Sequence, residues 1–179
     1  MNYKIPIMNN NFNSEYSFYD LNVTNSKTVN SLKNYKIITL SPELTKKDYE
    51  SIIKYCDNPE KVEILVQGSI ELMKTRYKLL YGNEVKKQKN CLIDSKNNKY
   101  FIYKSISNEE LTIFSETELS LISEINYLKR IGFSNFSIDG RFKNNNYYKI
   151  LDTYKHVLTE NNEDKFKKSN SKNTLFNYN

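Results

Sequence analysis

Tryptophan is absent from this sequence, and histidine, cysteine, glycine and proline are scarce. The 179 residues include one His, two Cys, four Gly and three Pro. Cys56 and Cys91 are too few for a disulfide framework or a cysteine metal set. We interpret the single histidine, His156, as a surface residue of the last predicted helix. The sequence therefore offers no Ser-His-Asp or Cys-His catalytic set.

Long apolar runs are also lacking. No run approaches the roughly 20 residues needed to cross a bilayer. The first dozen residues, Met1 to Phe12, contain no apolar core of a signal peptide. We therefore expect a cytoplasmic protein with reduced cysteines.

The charge balance is basic but diffuse. The chain has 27 Lys and Arg against 21 Asp and Glu, which gives a formal charge of +6. The tightest basic run consists of Lys86, Lys87 and Lys89 and is short. Such a balance allows contact with RNA or an acidic surface but does not predict it.

The length favours one domain with a substantial core. We expect a polar N-terminal segment over residues 1–15 and a folded domain over residues 16–160. The charged and polar residues 161–179 are typical of a disordered tail.

The stretch from Lys61 to Leu80 organises the rest of the chain. It begins with a run rich in β-branched residues that predicts a strand, and the strand ends at Gly68. Charged and aromatic residues follow the glycine. This arrangement favours a functional site at the carboxyl end of a sheet strand. A plain strand followed by a surface loop is the alternative.

Other strand-like runs alternate with helical patterns, which favours an α/β fold of parallel βα units. Four strands should lie side by side in parallel, with helices packed outside them. A hairpin with an Asn-rich turn should stand apart from these strands. The four predicted strands are Ser17–Val23, Lys36–Leu40, Val62–Gln67 and Phe133–Ile138, and the hairpin covers Cys91–Tyr103.

Capping residues predict the main helices. Thr45 should cap a helix that leads towards the Lys61 strand. Ser115 and Glu118 resemble a capping box for a helix that Gly132 ends. The last helix should run from about Asn145 to Glu160.

Five short segments follow one another in a distinctive order between Tyr16 and Leu158. Together they resemble the U32 family of peptidases, whose members are classed as proteases. The segments are Leu21–Ser26, with Asn-x-x-Asn-Ser character; Leu40–Leu44, with Ser-Pro-Glu-Leu; Val62–Tyr77, a strand, small turn and Arg-Tyr; Phe114–Ile122; and Ile138–Lys143, an acidic-Gly-Arg-x-Lys block with Tyr147 and Tyr154 beyond it.

The resemblance implies a TIM-like barrel, and it begins midway through the family's barrel domain. Only Met1 to Glu15 precede the first matching strand, whereas a full barrel takes roughly 250 residues. We therefore expect a partial TIM-like barrel, or half-barrel, with an inserted β-hairpin. A half-barrel exposes two sheet edges. This predicts self-association or a protein partner that supplies the missing half.

The resemblance also concerns an iron–sulfur cluster, which some family members hold with four cysteines. Glu71 and Lys78 stand at the two cysteine positions of the signature, and Ser120 stands at the fourth. The segment that carries the family's third cysteine is shortened in this sequence. Since iron–sulfur centres take thiolate ligands, we expect no cluster and no other cofactor or metal. The family's His-Gly is Gln67-Gly68 here, so its histidine base is also missing.

Polar residues at the predicted strand ends are the candidates for a site, because these ends converge on one face of a barrel. Glu43 and Asp139 could serve as catalytic acid or base. The substrate-binding candidates are Asn25, Gln67, Arg76 and Arg141, with either arginine able to clamp a carboxylate or phosphate. Alternatively, Asp139 and Arg141 form a structural ion pair at their turn.

Three functions remain open at this point. The first is that the chain is a U32 peptidase-like protein with reduced activity or with dependence on a partner that supplies the other half of the barrel. Alternatively, it is a non-catalytic binding or assembly subunit that contacts RNA. The third possibility is a gene remnant that folds poorly.

Overall fold

The computed structural model describes residues 15–76, 91–104, 110–141 and 146–160. The predicted tail and the basic run Lys86–Lys89 lie outside these ranges, as does nearly all of the predicted N-terminal segment.

The first sheet contains the strand that organised the sequence. Its strands are β1 (Ile38–Thr39), β2 (Val62–Gly68), β7 (Leu119–Ser120) and β8 (Asn135–Ile138). β1 and β8 both pair with β2 in parallel, whereas β7 pairs with the end of β2 in the antiparallel sense. Strand β2 is therefore the centre of this sheet.

The segment before β1 extends the sheet through two isolated parallel bridges. Tyr16 pairs with Ile37, and Val23 pairs with Leu40. Between the bridges the chain forms a 3-10 turn over Tyr19–Leu21 and then Asn22 in the left-handed region, with φ of 49°. The predicted parallel order is present, but the predicted continuous strand Ser17–Val23 is wrong. The turn interrupts it and carries Tyr19 into the core.

The chain is a mixed α/β protein, and neither sheet closes within the described residues. The parallel βα units are those that the sequence predicts. A half-barrel is a more specific arrangement, and it stays a prediction.

Four α-helices accompany the strands in the described part of the chain. They are α1 (Ser26–Ser31), α2 (Lys46–Tyr55), α3 (Ile125–Ile131) and α4 (Asn146–Glu160). The side chain of Asn25 caps α1 by accepting the backbone N–H of Thr28 at 2.9 Å. Gly132 ends α3 with φ of 120°, a conformation that favours glycine.

Helix α2 begins with a complete capping box. The backbone N–H of Thr45 donates to Asp48 Oδ2 at 2.8 Å, and the Thr45 hydroxyl accepts the backbone N–H of Asp48. This exchange satisfies two backbone donors that a helix start otherwise leaves unpaired. Tyr49 and Ile52 then turn into the core. The predicted cap at Thr45 is confirmed.

A second, fully antiparallel sheet stands apart from the first. It contains the predicted hairpin as strands β4 (Cys91–Ile93) and β5 (Lys99–Lys104). Strands β3 (Glu71–Thr75) and β6 (Leu111–Ser115) complete the order β3-β6-β5-β4. β3 was missed as a strand because it lies at an edge, where half-exposed residues do not alternate clearly between apolar and polar.

The hairpin turn depends on one carboxylate. Asp94 accepts the backbone N–H groups of Lys96 at 2.8 Å and Asn98 at 2.9 Å. Between them, Asn97 has φ of 65°, which asparagine tolerates better than most residues. The Asn-rich turn predicted from the sequence is therefore confirmed.

The predicted capping box at Ser115 is wrong. Ser115 ends strand β6, and its hydroxyl accepts the backbone N–H of Ile70 at 2.9 Å. Leu119 and Ser120 pair with β2, and the α-helix begins only at Ile125. Pairing with the central strand outweighs the local capping signal here, because it buries Leu119 against the core.

Aliphatic and aromatic residues from both sides of β2 form the core. Val62, Ile64, Leu65 and Val66 are all buried, together with side chains of α2, α3 and α4. The Tyr154 hydroxyl of α4 donates to the Val66 carbonyl at 2.8 Å, which ties that helix to the sheet. In the described residues, no helix has the length and apolar character required to traverse a membrane.

The capping box gives a first test of the fold. We expect Thr45→Ala to lower the free energy of unfolding by about 1 kcal/mol, the usual cost of losing an N-cap side chain. Chemical denaturation of the purified protein measures the change. Thr117→Ala is the control, since Thr117 is exposed in the loop before β7. Equal stability of the two variants would contradict the role given to the cap.

Candidate functional site

The two central parallel strands end beside each other, and their ends approach very closely. The backbone N–H of Asp139, just after β8, donates to the Gln67 carbonyl at 2.8 Å. A Cβ atom at Gly68 would lie 2.5 Å from the Cβ of Asp139, and Gly68 has φ of 154°. Only glycine fits this position without a shift of backbone. The close approach fixes where the Asp139 side chain lies.

Asp139 holds Arg141 in a two-point ion pair. The Arg141 Nε donates to both Asp139 carboxylate oxygens, at 3.0 and 2.9 Å, and Nη2 donates to Oδ2 at 2.6 Å. The backbone N–H of Arg141 also donates to Asp139 Oδ1 at 2.9 Å. Fork-like contacts of this kind are the strong form of a charged hydrogen bond, because both partners are charged and their geometry is fixed.

The far side of the Arg141 guanidinium contacts Glu71 and Tyr19. Nη1 forms a close ion pair with the Glu71 carboxylate, and Nη2 donates to the Tyr19 hydroxyl at 3.2 Å. The Tyr19 hydroxyl also accepts the backbone N–H of Glu71 at 3.1 Å. We call Tyr19, Glu71, Asp139 and Arg141 the arginine cluster. It joins the end of the first sheet to the start of β3 in the second.

Aromatic rings flank the guanidinium of the cluster. The Arg141 Cζ atom lies 4.8 Å from the centre of the Phe114 ring and 5.7 Å from that of Phe18. Both distances allow cation–π attraction. The Glu71 and Asp139 side chains are only 9% and 6% exposed, whereas that of Arg141 is 32% exposed. The arginine is therefore the most exposed member of the cluster.

Protonation states in the cluster follow from burial and from its ion pairs. Burial raises the pKa of Tyr19 to about 12, so its hydroxyl keeps its proton at neutral pH. Burial opposes the charge on Arg141, but hydrogen bonds to Asp139 and Glu71 outweigh it and raise the arginine pKa. The cluster thus combines a permanent cation with a neutral phenol.

Gln67 belongs to a second, adjacent group of polar side chains. Its amide nitrogen donates to the Glu118 carboxylate at 2.9 Å, and its amide oxygen lies 3.2 Å from the Tyr154 hydroxyl, whose proton goes to the nearer Val66 carbonyl. Ser120 faces Gln67 across the sheet, and its hydroxyl is buried. These contacts fix the Gln67 amide at the same end of the sheet as Asp139.

Comparison with known proteins places this fold in a family. The family model for peptidase family U32 matches residues 11–177, which is nearly the whole chain. The chain belongs to peptidase family U32. No curated protein and no solved structure matches the chain.

Three of the six site residues predicted from the sequence lie at the carboxyl ends of β2 and β8. They are Gln67, Asp139 and Arg141. The ion pair between Asp139 and Arg141 is the structural alternative that the sequence left open, and the U32 chain forms it. Their roles towards a substrate remain predictions.

The other three predicted residues form no hydrogen bond or ion pair with this group among the described residues. Asn25 caps α1, and Glu43 is exposed in the turn before α2. Arg76 is exposed and follows the last residue of β3. Strand ends converge only where the strands pair closely, and Arg76 follows a strand of the other sheet. Participation of these residues in a site remains a prediction.

Tyr19, Glu71 and Glu118 complete the polar groups, and sequence reasoning did not select them as site residues. The sequence singles out Glu71 only because the family resemblance places a cysteine at this position. Its contact with Arg141 links positions 70 residues apart, which no local pattern shows. Tyr19 lies in a segment predicted as strand. A turn rather than a strand brings its hydroxyl to the arginine.

The donor atoms present do not fit the iron–sulfur cluster known from some U32 proteins. Glu71 offers a carboxylate that Arg141 and Lys74 already bind, the latter at 3.2 Å. Ser120 offers a hydroxyl. Iron–sulfur centres require thiolates, and the described cysteines, Cys56 and Cys91, lie on α2's end and on β4. Among the described residues no group of three His, Cys, Asp or Glu side chains could hold a metal.

The arginine cluster predicts different effects for two arginines of this U32 protein. Arg141→Ala leaves the nearly buried Asp139 carboxylate without its counter-ion and leaves Glu71 paired with Lys74 alone. We expect it to lower the free energy of unfolding by about 3 kcal/mol, the lower end for a broken buried pair, since Arg141 itself is partly exposed. Arg76→Ala should change it by no more than about 0.5 kcal/mol.

Chemical denaturation of both arginine variants measures the difference. A binding titration with the Arg76 variant tests the role that the sequence predicts for that residue. Similar stability losses for the two variants would contradict the structural importance of the cluster.

Proposed function

We propose that this chain is a U32-type peptidase of reduced catalytic activity whose arginine cluster binds the carbonyl group of a peptide substrate. The family match over residues 11–177 supports hydrolysis of peptide bonds as the reaction class. The geometry of the cluster supports both the reduced activity and the mode of binding.

The engagement of both carboxylates by one arginine is the observation that carries the reduced activity. Asp139 accepts three hydrogen bonds from the Arg141 side chain and a fourth from the Arg141 backbone N–H. Glu71 is paired with Arg141 and Lys74. Because these ion pairs and hydrogen bonds already occupy the carboxylate oxygens, few acceptor positions remain to bind and orient a water molecule. Activation of water by either acid is therefore slow.

Tyr19 is the group of the cluster best suited to act on a carbonyl. Its oxygen accepts hydrogen bonds from Arg141 and from the Glu71 backbone, so the two acceptor positions of the phenol are occupied. Its own proton is left to donate. A hydroxyl placed in this way stabilises the negative charge that develops on a peptide carbonyl oxygen when water attacks the carbon.

Removal of the Tyr19 hydroxyl tests this proposal. We expect Tyr19→Phe to lower kcat for cleavage of an unfolded protein substrate by at least about tenfold, since one lost oxyanion donor costs about 10²–10³ in other enzymes. Cleavage of fluorescently labelled, denatured casein measures the rate. Tyr55→Phe is the control, because Tyr55 is an exposed tyrosine on α2, far from the cluster in the sequence. Equal rates for Tyr19→Phe and wild type would exclude Tyr19 from catalysis.

We further propose that the open sheet edges pair with a second chain. Within the described residues, β8 pairs only with β2, and β3 pairs only with β6, so each leaves one edge unpaired by any described strand. Unpaired strand edges favour association. Exposed Leu72 and Met73 on β3 add apolar area to one of them. Self-association, or a partner that completes a barrel, would cover these edges.

The oligomeric state tests this association. We expect light scattering after size-exclusion chromatography to show a mass that rises above that of one chain, 21.2 kDa, as concentration increases. Leu72→Lys should reduce the association because it places charge on the β3 edge. Lys47→Ala, a substitution of an exposed residue on α2, is the control. A monomer at every concentration would leave only the partner protein as the occupant of the edges.

A non-catalytic binding or assembly subunit is the second candidate function. The geometry of the arginine cluster also favours this function. The described side-chain donors of Arg141 all have partners inside the chain, as in a purely structural network. A complete lack of cleavage by wild type would select this alternative. RNA binding belongs with it, and a titration with single-stranded RNA tests it. The lysines that prompted that prediction lie outside the described residues.

A further inference from the structure

A short row of polar side chains crosses the first sheet near the amino-terminal ends of β2 and β8 and at the last residue of β1. Thr39 of β1 stands opposite Glu63 of β2 in the strand register, and Asn135 of β8 stands opposite Glu63 on the other side. Thr39 is fully buried, and Glu63 is half-buried. The arginine cluster lies at the other end of these strands, so this row does not take part in the proposed function.

The Thr39 hydroxyl lies within hydrogen-bond distance of two oxygen atoms. Its Oγ1 is 2.9 Å from the Ser17 carbonyl oxygen and 2.7 Å from Glu63 Oε1. The Ser17 hydroxyl accepts the Thr39 backbone N–H at 2.9 Å, so side chain and backbone bind Ser17 together. Thr39 thus joins the segment before β1 to the centre of the sheet.

These two contacts need two hydrogen atoms, and threonine supplies one. A hydroxyl has a single O–H donor, and a backbone carbonyl oxygen has no hydrogen to offer. The proton between Thr39 and Ser17 must therefore come from Thr39. The hydrogen between Thr39 and Glu63 must then come from the carboxyl group. If Glu63 were ionised, either the Ser17 carbonyl or the carboxylate would face a bare oxygen lone pair in a buried place, which is costly.

We propose that Glu63 is a protonated carboxylic acid in the folded protein at neutral pH and donates a hydrogen bond to Thr39. The chain of bonds then runs in one direction, from the Glu63 acid to the Thr39 hydroxyl and on to the Ser17 carbonyl. Glu63 is thus a proton-carrying site inside the sheet, separate from the arginine cluster.

The surroundings of Glu63 agree with a neutral acid. Burial raises the pKa of its carboxyl group, and hydrogen bonding with Thr39 and Ser137 opposes that rise. The opposition from Thr39 disappears when its only proton goes to Ser17. Among the described residues, the side chains that adjoin Glu63 from the neighbouring strands are Thr39, Ser137 and Asn135, and none of them carries a charge. No cation is therefore on hand there to favour the carboxylate.

A raised pKa makes stability depend on pH in a defined direction. The unfolded chain ionises Glu63 near the usual glutamate value of about 4.3. The folded chain holds the proton to higher pH. The stabilisation is therefore complete below the unfolded pKa and is lost as pH rises through the folded pKa. Ionisation at higher pH weakens the joint between Ser17, β1 and β2.

Replacement by glutamine tests the proposal, because glutamine has the shape of the neutral acid and keeps a hydrogen-bond donor but cannot ionise. We expect the melting temperature of Glu63→Gln, minus that of wild type, to increase as pH is raised from about 4 to about 9. Glu116→Gln, at an exposed glutamate, is the control and should follow wild type in parallel.

Carbon-13 NMR of protein labelled at the glutamate carboxyl carbons follows the protonation of each carboxyl group through its chemical shift. The resonance that is missing from Glu63→Gln should titrate at higher pH than the resonance missing from Glu116→Gln. A Glu63 resonance that titrates together with that of Glu116 would overturn the proposal. A melting-temperature difference that stays flat with pH would overturn it as well. So would failure of Glu63→Gln to fold at neutral pH, since the neutral acid and the amide make the same bond to Thr39.

Discussion

The ion pair of Arg141 with Asp139 and Glu71 is the contact on which the two sheets depend. Asp139 follows β8 of the first sheet, whereas Glu71 begins β3 of the second. The Phe114 ring beneath the guanidinium comes from β6 of the second sheet. Because the carboxylates are nearly buried, they need counter-ions, and Arg141 is the one that both of them share. The Arg141 side chain thereby fixes the position of the antiparallel sheet relative to the parallel strands.

The parallel part of the fold is readable from the sequence because each of its elements carries a local signal. The β-branched run at Val62, the capping box at Thr45 and the stop at Gly132 each act within a few residues. Strand β3 and the turn at Tyr19 have no such signal. An edge strand is half-exposed, and Tyr19 turns inward because its hydroxyl reaches groups 52 and 122 residues away. Ser115 failed as a cap for the same reason, since long-range pairing decided its state.

The candidate site divides along the same line. Gln67, Asp139 and Arg141 were found because they follow strands that pair in one sheet, and paired parallel strands send their ends to one edge. Glu71 and Tyr19 could be found only through contacts between the two sheets. The sequence does not predict a role for Glu63, because alternation along a strand indicates the face on which a side chain lies but not its protonation state. The protonation proposed for it follows from counting the hydrogens around Thr39, whose partners lie 22 and 24 residues away in the sequence.

The position of Glu71 also explains how a chain of this family can keep its fold without thiolates there. The family resemblance places a cysteine at this position, and a cluster ligand would be an anionic thiolate held close to the end of β2. Glutamate keeps the negative charge but replaces soft sulfur with oxygen, and Arg141 neutralises that charge. The ion pair fixes both carboxylates and holds the two sheets together at this junction.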